Sequence, residues 1–364
     1  MTITSVQTDH YRIPLPVVLS DSTHGDMSHF ALVTVRVRSD DGLEGLGYTY
    51  TVANTGGAAL HAMIERDLAP LLIGQDPRRI EQLWEKMWWH THFVGRGGLA
   101  AFAIAAVDIA LWDWKAKRQS EPWWRFLGGH HNRVKAYAGG IDLQFTLDDL
   151  LAQTRRFQEQ GFRAIKMKVG RQRLSEDVAR VAAMREFLGP DFPLMADANM
   201  RWGVHEAIQA AQALADYGLV WLEEPTIPDD VEGHARIAAE GRLPIATGEN
   251  FHSLYEFQRM ITHGKIAFPE PDVATLGGVT PWLKVAHLAE AHNLPVTTHG
   301  VHDLQVHLLA AIPNASYLEA HGFGLDRYIR HPLVLTDGEA LAPDRAGHGV
   351  EFDWQALEPH RDRN

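Results

Sequence analysis

The chain has 364 residues, with 34 Lys+Arg against 46 Asp+Glu, a formal net charge of −12 and no cysteine. The acidic balance argues against nucleic-acid binding, which needs a basic face, and the missing cysteines exclude disulfides, thiolate metal sites and cysteine nucleophiles. With 45% hydrophobic and 22% charged residues the chain reads as an ordinary globular protein, long enough for two domains or for one barrel with an attachment. No apolar run reaches membrane-spanning length and no signal-like segment opens the chain, so the cytoplasm is the expected location.

The first third reads as strands followed by helices. Ala31, Val33, Val35 and Val37 alternate on one face of an extended segment, His29 to Arg38. Asp40-Asp41-Gly42 is a turn signal, and Leu43 to Tyr50 resumes the extended pattern, which predicts a hairpin. Helical patterns follow near 57–72, 78–90 and 98–117. Residues 1–130 therefore form an α+β unit.

From Val134 the texture changes. Eight short apolar runs alternate with helical stretches: Val134–Ala138, Ala164–Val169, Pro193–Ala196, Leu219–Leu222, Pro244–Thr247, Ile266–Phe268, Leu294–Thr298 and Ser316–Leu318. Helix starts are marked by Thr146 with Asp149, by Ser253 with Glu256, and by Thr280 before Pro281. Eight strand–helix units predict a parallel (β/α)₈ barrel over residues 131–331. The competing doubly wound sheet needs a glycine-rich phosphate loop after an early strand. Gly45-Leu46-Gly47 lacks the third glycine and precedes no helix. Residues 332–364 lose the pattern and are expected to fold back onto the first unit.

Each strand from the second onward ends in an ionisable residue. These are Lys168 after Lys166, then Asp197, Glu223, Glu249, Asp272, His299 and Glu319. Their spacings are 29, 26, 26, 23, 27 and 20 residues. Barrel enzymes build active sites at this rim. Strand parity puts Ile165, Met167 and Val169 towards the helix layer, so Lys166 and Lys168 point inward. Asp197, Glu223 and Glu249 come from three consecutive strands. Convergent carboxylates without His or Cys suit a hard cation, with Mg²⁺ favoured. Lys168 and His299 stand nearly opposite across the mouth, with Asp272 beside His299 to fix its tautomer. Two acid/base groups flanking a metal predict removal of a proton α to a chelated carboxylate. Expelling a β-hydroxyl then gives dehydration, and reprotonation on the other face gives racemisation or epimerisation. A non-catalytic barrel would have lost a base or a ligand, and none is missing.

This residue set, from Lys166-x-Lys168 through Asp197-x-Asn199, Glu223-Glu224-Pro225, Gly248-Glu249-Asn250, Asp272 and His299 to Glu319, resembles the mandelate racemase subgroup of the enolase superfamily. The likeness covers nearly the whole chain. Gly95-Arg96-Gly97-Gly98 and the stretch Val107 to Asp113 look most like acid-sugar dehydratases of the talarate/galactarate type. The resemblance implies an enolase-like modified TIM barrel with an α+β capping domain built from both chain ends. It makes Lys168 one base and His299 with Asp272 the other, and gives Mg²⁺ to Asp197, Glu223 and Glu249. Lys166, Asn199, Glu319 and His24 would bind substrate, with Glu319 protonated or sharing a proton. It also implies a homo-oligomer, often an octamer. The capping loop, Ser20 to His29, is almost wholly polar, and His24, Asp26 and Ser28 suit a polyhydroxylated acid rather than an aromatic one. The expected activity is an Mg²⁺-dependent hydro-lyase that turns an acid sugar into a 2-keto-3-deoxy acid. The alternative is a racemase, epimerase or cycloisomerase with the same two bases.

Overall fold

Strands β1 (Ile3–Asp21), β2 (Gly25–Ser39) and β3 (Glu44–Val52) form one antiparallel sheet in that order, in a computed structural model that describes residues 1–321 and 323–363. The expected hairpin is β2–β3. The 19-residue β1 has no clean alternation in the sequence. Pro14 and Pro16 interrupt it, and its register against β2 shifts between Pro14 and Leu19. Three helical stretches cover one face of the sheet: Gly57–Met63 continuing to Leu72, Ile80–Thr91 and Leu99–Arg118. Val33, Val35 and Val37 pack there against Leu60, Ile64, Ile104 and Val107. Gly45 and Gly47 let the last helix lie directly on β3. A Cβ on Gly45 would stand 2.0 Å from the Ala110 carbonyl oxygen, and one on Gly47 would stand 2.1 Å from that of Ala106. The Gly-x-Gly that fails as a phosphate loop is thus a close helix–strand contact. The opposite face, with Leu32, Leu46, Tyr48 and Tyr50, is buried against the barrel.

The barrel strands are β4 (Arg133–Gly139), β5 (Ile165–Lys168), β6 (Leu194–Asp197), β7 (Leu222–Glu223), β8 (Ile245–Thr247), β9 (Phe268–Pro269) and β10 (Tyr317–Ala320). Neighbours pair in parallel from β4 to β9, and β10 pairs with β4. The seventh expected strand, 294–298, makes only a bridge from Val296 to Ala315. It still closes the ring through Thr297 N–H to the Pro269 carbonyl and Thr298 N–H to that of Tyr317. Pro295 supplies no N–H, which explains the thin ladder. Thr146 and Ser253 cap the helices Leu147–Glu159 and Leu254–Arg259 as expected. The helix carrying Pro281 starts at Val279 instead, because Asp108 accepts from Thr280 N–H at 2.9 Å and from its hydroxyl at 2.7 Å.

Tyr137, Met195 and Trp221 fill the barrel interior, with Phe268 and Tyr317 packed against them, and form the floor beneath the rim. Residues 334–341 add a hairpin, β11 (Val334–Thr336) and β12 (Glu339–Leu341), to the start of β4. The chain end then runs along β1, where Arg361 bridges Tyr11 and binds Asp9 at 2.7 Å. No helix among the described residues is long and apolar enough to cross a membrane.

Candidate active site

The strand-end residues converge as their parity requires. Lys166 and Lys168, two residues apart on β5, both face the lumen and are buried. The Lys166 ammonium contacts Glu223 Oε1 at 2.5 Å, Glu319 Oε1 at 3.0 Å and Asp197 Oδ2 at 3.7 Å. It lies 5.2 Å above the Tyr137 ring. The Lys168 ammonium donates to Asp197 Oδ2. Trp221 Nε1 donates to the other Glu223 oxygen at 2.9 Å, so the floor orients this carboxylate from below. Oxygens of Asp197, Glu223 and Glu249 lie within 4.8 Å of one another.

His299 closes the other side. Its Nδ1 meets Asp272 Oδ2 at 3.0 Å, and its Nε2 is 3.4 Å from Glu249 Oε2 and 3.9 Å from Glu319 Oε2. A proton on Nδ1, donated to Asp272, leaves Nε2 as the working nitrogen. Asp272 is fully buried, and its Oδ1 accepts from Ala274 N–H at 2.8 Å.

The charges are unevenly matched. Burial pulls the ammonium of Lys168 down, but Asp197 outweighs it and holds the group charged. Burial also pulls His299 down, yet Glu249, Asp272 and Glu319 carry it up to about 10. Burial, with repulsion from neighbouring carboxylates, pushes Glu223 up to about 8 and raises Glu249. Apart from the His299–Asp272 pair, four carboxylates (Asp197, Glu223, Glu249 and Glu319) face two ammonium groups. A divalent cation at the trio restores balance, and an all-oxygen donor set fits Mg²⁺. Burial raises Glu319, but Lys166, His299 and the Gly300 N–H at 2.9 Å together hold it well below the ordinary carboxylate range.

Asn199 is brought to the rim in a left-handed conformation, φ 42°. Its N–H donates to Asp197 Oδ1 at 2.8 Å, and its side-chain oxygen is buried without a partner among the described residues. The expected capping loop is the tip of the β1–β2 hairpin. Ser22 donates to the Ala198 carbonyl at 2.7 Å, and Thr23 donates to that of Asn199. His24 Nδ1 contacts Asp21 Oδ2 at 2.8 Å, which raises the imidazole against the effect of burial. Asp26 and Ser28 are exposed and alternate with the buried Met27, so they lie on the opposite face of the strand from it.

Sequence reasoning passed over several site residues. Glu224 and Glu270 are buried acids that burial raises well above the ordinary carboxylate range; Glu224 accepts from Asn250 at 2.8 Å, and both oxygens of Glu270 lack partners among the described residues. Tyr50, from the capping sheet, donates to Asp272 Oδ2 at 2.6 Å. The available signal was a pair of tyrosines at alternate positions of a strand, whose hydroxyls need partners once buried. His302 stands between Asp303 at 3.3 Å and Asp326 at 3.2 Å, and His307 packs edge-on to Trp123.

A capped parallel barrel with a carboxylate trio, an inward lysine and a His–Asp pair defines a cation-assisted acid/base enzyme site. The family model described as mandelate racemase / muconate lactonizing enzyme, N-terminal domain, matches residues 2–128, and the enolase C-terminal domain-like model matches residues 149–356. The chain belongs to the mandelate racemase subgroup of the enolase superfamily. It is 56% identical over 355 residues to the 3,6-anhydro-alpha-L-galactonate cycloisomerase of Streptomyces coelicolor, covering 98% of each chain. A racemase from Streptomyces coelicolor A3(2), solved with bound magnesium, superposes with a TM-score of 0.97 at 54% identity, covering 99% of this chain and 100% of that one. The L-talarate/galactarate dehydratase of Salmonella typhimurium, solved with Mg and L-lyxarohydroxamate, gives a TM-score of 0.94 at 35% identity, covering 99% and 93%.

Proposed function

We propose that the protein is an Mg²⁺-dependent sugar-acid enzyme that removes the proton α to a carboxylate and breaks the C–O bond at the β-carbon. One observation carries this reading. Lys168, on Asp197, and His299, beside Glu249, bracket the carboxylate trio from its two ends. Mg²⁺ held by Asp197, Glu223 and Glu249 would withdraw charge from the substrate carboxylate and so acidify the α-carbon.

The chain's own residues supply the rest. Lys166 holds a fixed positive charge for the substrate carboxylate, and Glu319 locks Lys166 in place. Lys168 becomes a base when Asp197 commits its charge to a partner other than the ammonium. Neutral His299 can take a proton at Nε2, and protonated His299 can give one to a departing oxygen. In the elimination the Cα–H bond breaks and its electron pair forms the C=C bond. The β C–O bond breaks with it, and the oxygen leaves with a proton. The enol then gives up its O–H proton, takes a proton at the β-carbon and becomes a 2-keto-3-deoxy acid.

The finer reading depends on that oxygen. In a 3,6-anhydro-galactonate the C3 oxygen closes a ring onto C6. The same cleavage opens the ring, leaves the oxygen on C6 and loses no water, so the reaction is an isomerisation. We take cycloisomerisation of such an anhydro sugar acid as the leading reading, supported by the 56% identity to the Streptomyces coelicolor cycloisomerase. The hydro-lyase expected from the sequence is the second, supported by the likeness to the Salmonella typhimurium dehydratase. The test is to incubate the protein and Mg²⁺ with 3,6-anhydro-L-galactonate and, separately, with galactarate and L-talarate. A keto acid of unchanged mass is expected from the first. A product lighter by one water, formed faster from the open-chain acids, supports the hydro-lyase. No keto acid from any of them refutes both readings.

A further inference from the structure

The His299–Asp272 pair has a third member that comes from the other domain. Tyr50 stands on β3, in the capping sheet. Its hydroxyl is 2.6 Å from Asp272 Oδ2 and 3.2 Å from His299 Nδ1. We propose that Tyr50 is a positioning residue: its hydroxyl pins the Asp272 carboxylate so that the carboxylate aims His299 Nε2 at the substrate. This rests on the reading above, in which His299 moves a proton.

Several observations converge on this role. Asp272 Oδ2 receives both the phenol and the imidazole, while Oδ1 receives the Ala274 N–H. Three donors on one fully buried carboxylate leave it no free rotation. The phenol is itself held still, because its ring stacks on Phe323 with centroids 4.9 Å apart and planes at 29°. Burial and the nearby Asp272 raise the phenol well above its ordinary value, so it stays protonated and acts as a donor. The backbone also makes room for it. Gly300, directly after His299, has φ +61°, and a Cβ there would stand 2.7 Å from the Tyr50 hydroxyl and 2.9 Å from Asp272 Oδ2.

Packing alone does not require the hydroxyl. Tyr48 precedes Tyr50 by two residues on the same face of the same strand, and its buried hydroxyl has no partner among the described residues. A phenylalanine would fill either place as well. What sets Tyr50 apart is that its hydroxyl reaches the pair that does the chemistry. The capping domain thus enters the acid/base apparatus.

The test variant is Tyr50→Phe, which keeps the ring and removes only the hydroxyl. Two measurements are made on the full-length, Mg²⁺-loaded protein. The first is the downfield Nδ1–H resonance of His299, identified by its loss in His299→Gln. It should move or broaden away in Tyr50→Phe. The second is exchange of the α-proton in deuterated water for two sugar acids epimeric at C2. Exchange on the His299 side should fall about tenfold or more, as when the orienting partner of a functional histidine is removed. Exchange on the Lys168 side should stay within about twofold, well below the usual worth of an acid/base group. Thermal unfolding confirms that the variant folds, and Tyr50→Leu, which also removes the ring, reports the packing contribution separately. An unmoved resonance, or an equal change in exchange on both sides, overturns the proposal. If the wild type exchanges no α-proton from any sugar acid, the functional reading fails by itself, and the resonance still decides the role of Tyr50.

Discussion

Replacing Lys166 by methionine keeps an unbranched side chain of similar reach and removes the ammonium that joins Glu223, Glu319 and Asp197 at 2.5, 3.0 and 3.7 Å. All four side chains are almost wholly buried. Removing one partner from a buried ionic cluster costs about 3–5 kcal/mol, because the remaining charges are left uncompensated. Lys166→Met in chelator at pH 8 should therefore unfold with about that much less stability than the wild type. The same loss sharpens the demand for a cation, since four carboxylates then face one ammonium. Mg²⁺ should bind Lys166→Met more tightly than wild type, and binding only to the folded state adds about 2.7 kcal/mol at a hundred times Kd. Urea unfolding midpoints, with chelator and then with a titration of Mg²⁺, measure both effects. The Mg²⁺-induced shift should be larger in the variant. A variant as stable as the wild type in chelator would show that Lys166 does not balance the cluster. If Mg²⁺ moved neither protein, the carboxylate trio would not be a cation site.

Asp197→Asn and Glu249→Gln each remove one charge from the trio, and calorimetry should show Mg²⁺ affinity down by about tenfold or more, with turnover lost alongside it. His307 gives a pH dependence of known sign. Burial pushes its imidazole down to about 3, and Nε2 donates to the His348 carbonyl at 3.1 Å. Its folded value lies below the unfolded one of about 6.5, so this stabilisation is complete above pH 6.5 and is lost as pH falls towards 3. Urea midpoints at pH 6.5 and pH 5 should separate by about 1–2 kcal/mol more in wild type than in His307→Gln, and equal slopes would refute this. Gly45→Ala forces a Cβ to 2.0 Å from the Ala110 carbonyl oxygen. It should lower the unfolding midpoint by about 1–3 kcal/mol through overpacking, with the Mg²⁺ affinity unchanged.

Much of the site was legible because a parallel barrel turns sequence order into spatial order. Each apolar run of β5 to β8 ends at the same rim, so Lys168, Asp197, Glu223 and Glu249 could be placed from spacing alone. The segment 294–298 read as a strand by hydropathy, yet pairs thinly, since pattern counts apolar residues and not available N–H groups. β1 escaped because its prolines break the alternation that marks a strand. Tyr50 was beyond reach for a different reason. Its partner Asp272 lies 222 residues further on, in another domain, and no local period links them. The ion pair of Glu319 was hidden similarly, since its ammonium partner 3.0 Å away stands more than a hundred residues earlier in the sequence.

The hairpin tip is fastened in an unusual way. Ser22 and Thr23 grip the carbonyl oxygens of Ala198 and Asn199, and every residue type offers such an oxygen. The barrel's half of this latch is therefore indifferent to its own side chains. Residues 24 to 26, all exposed, can be exchanged, as a tool bit is exchanged in a fixed chuck, without loosening the grip. The latch also lies one and two residues beyond Asp197. A new tip would be registered against the metal-ligand strand itself rather than against the far side of the sheet, so a change of substrate need not disturb the chemistry beneath it.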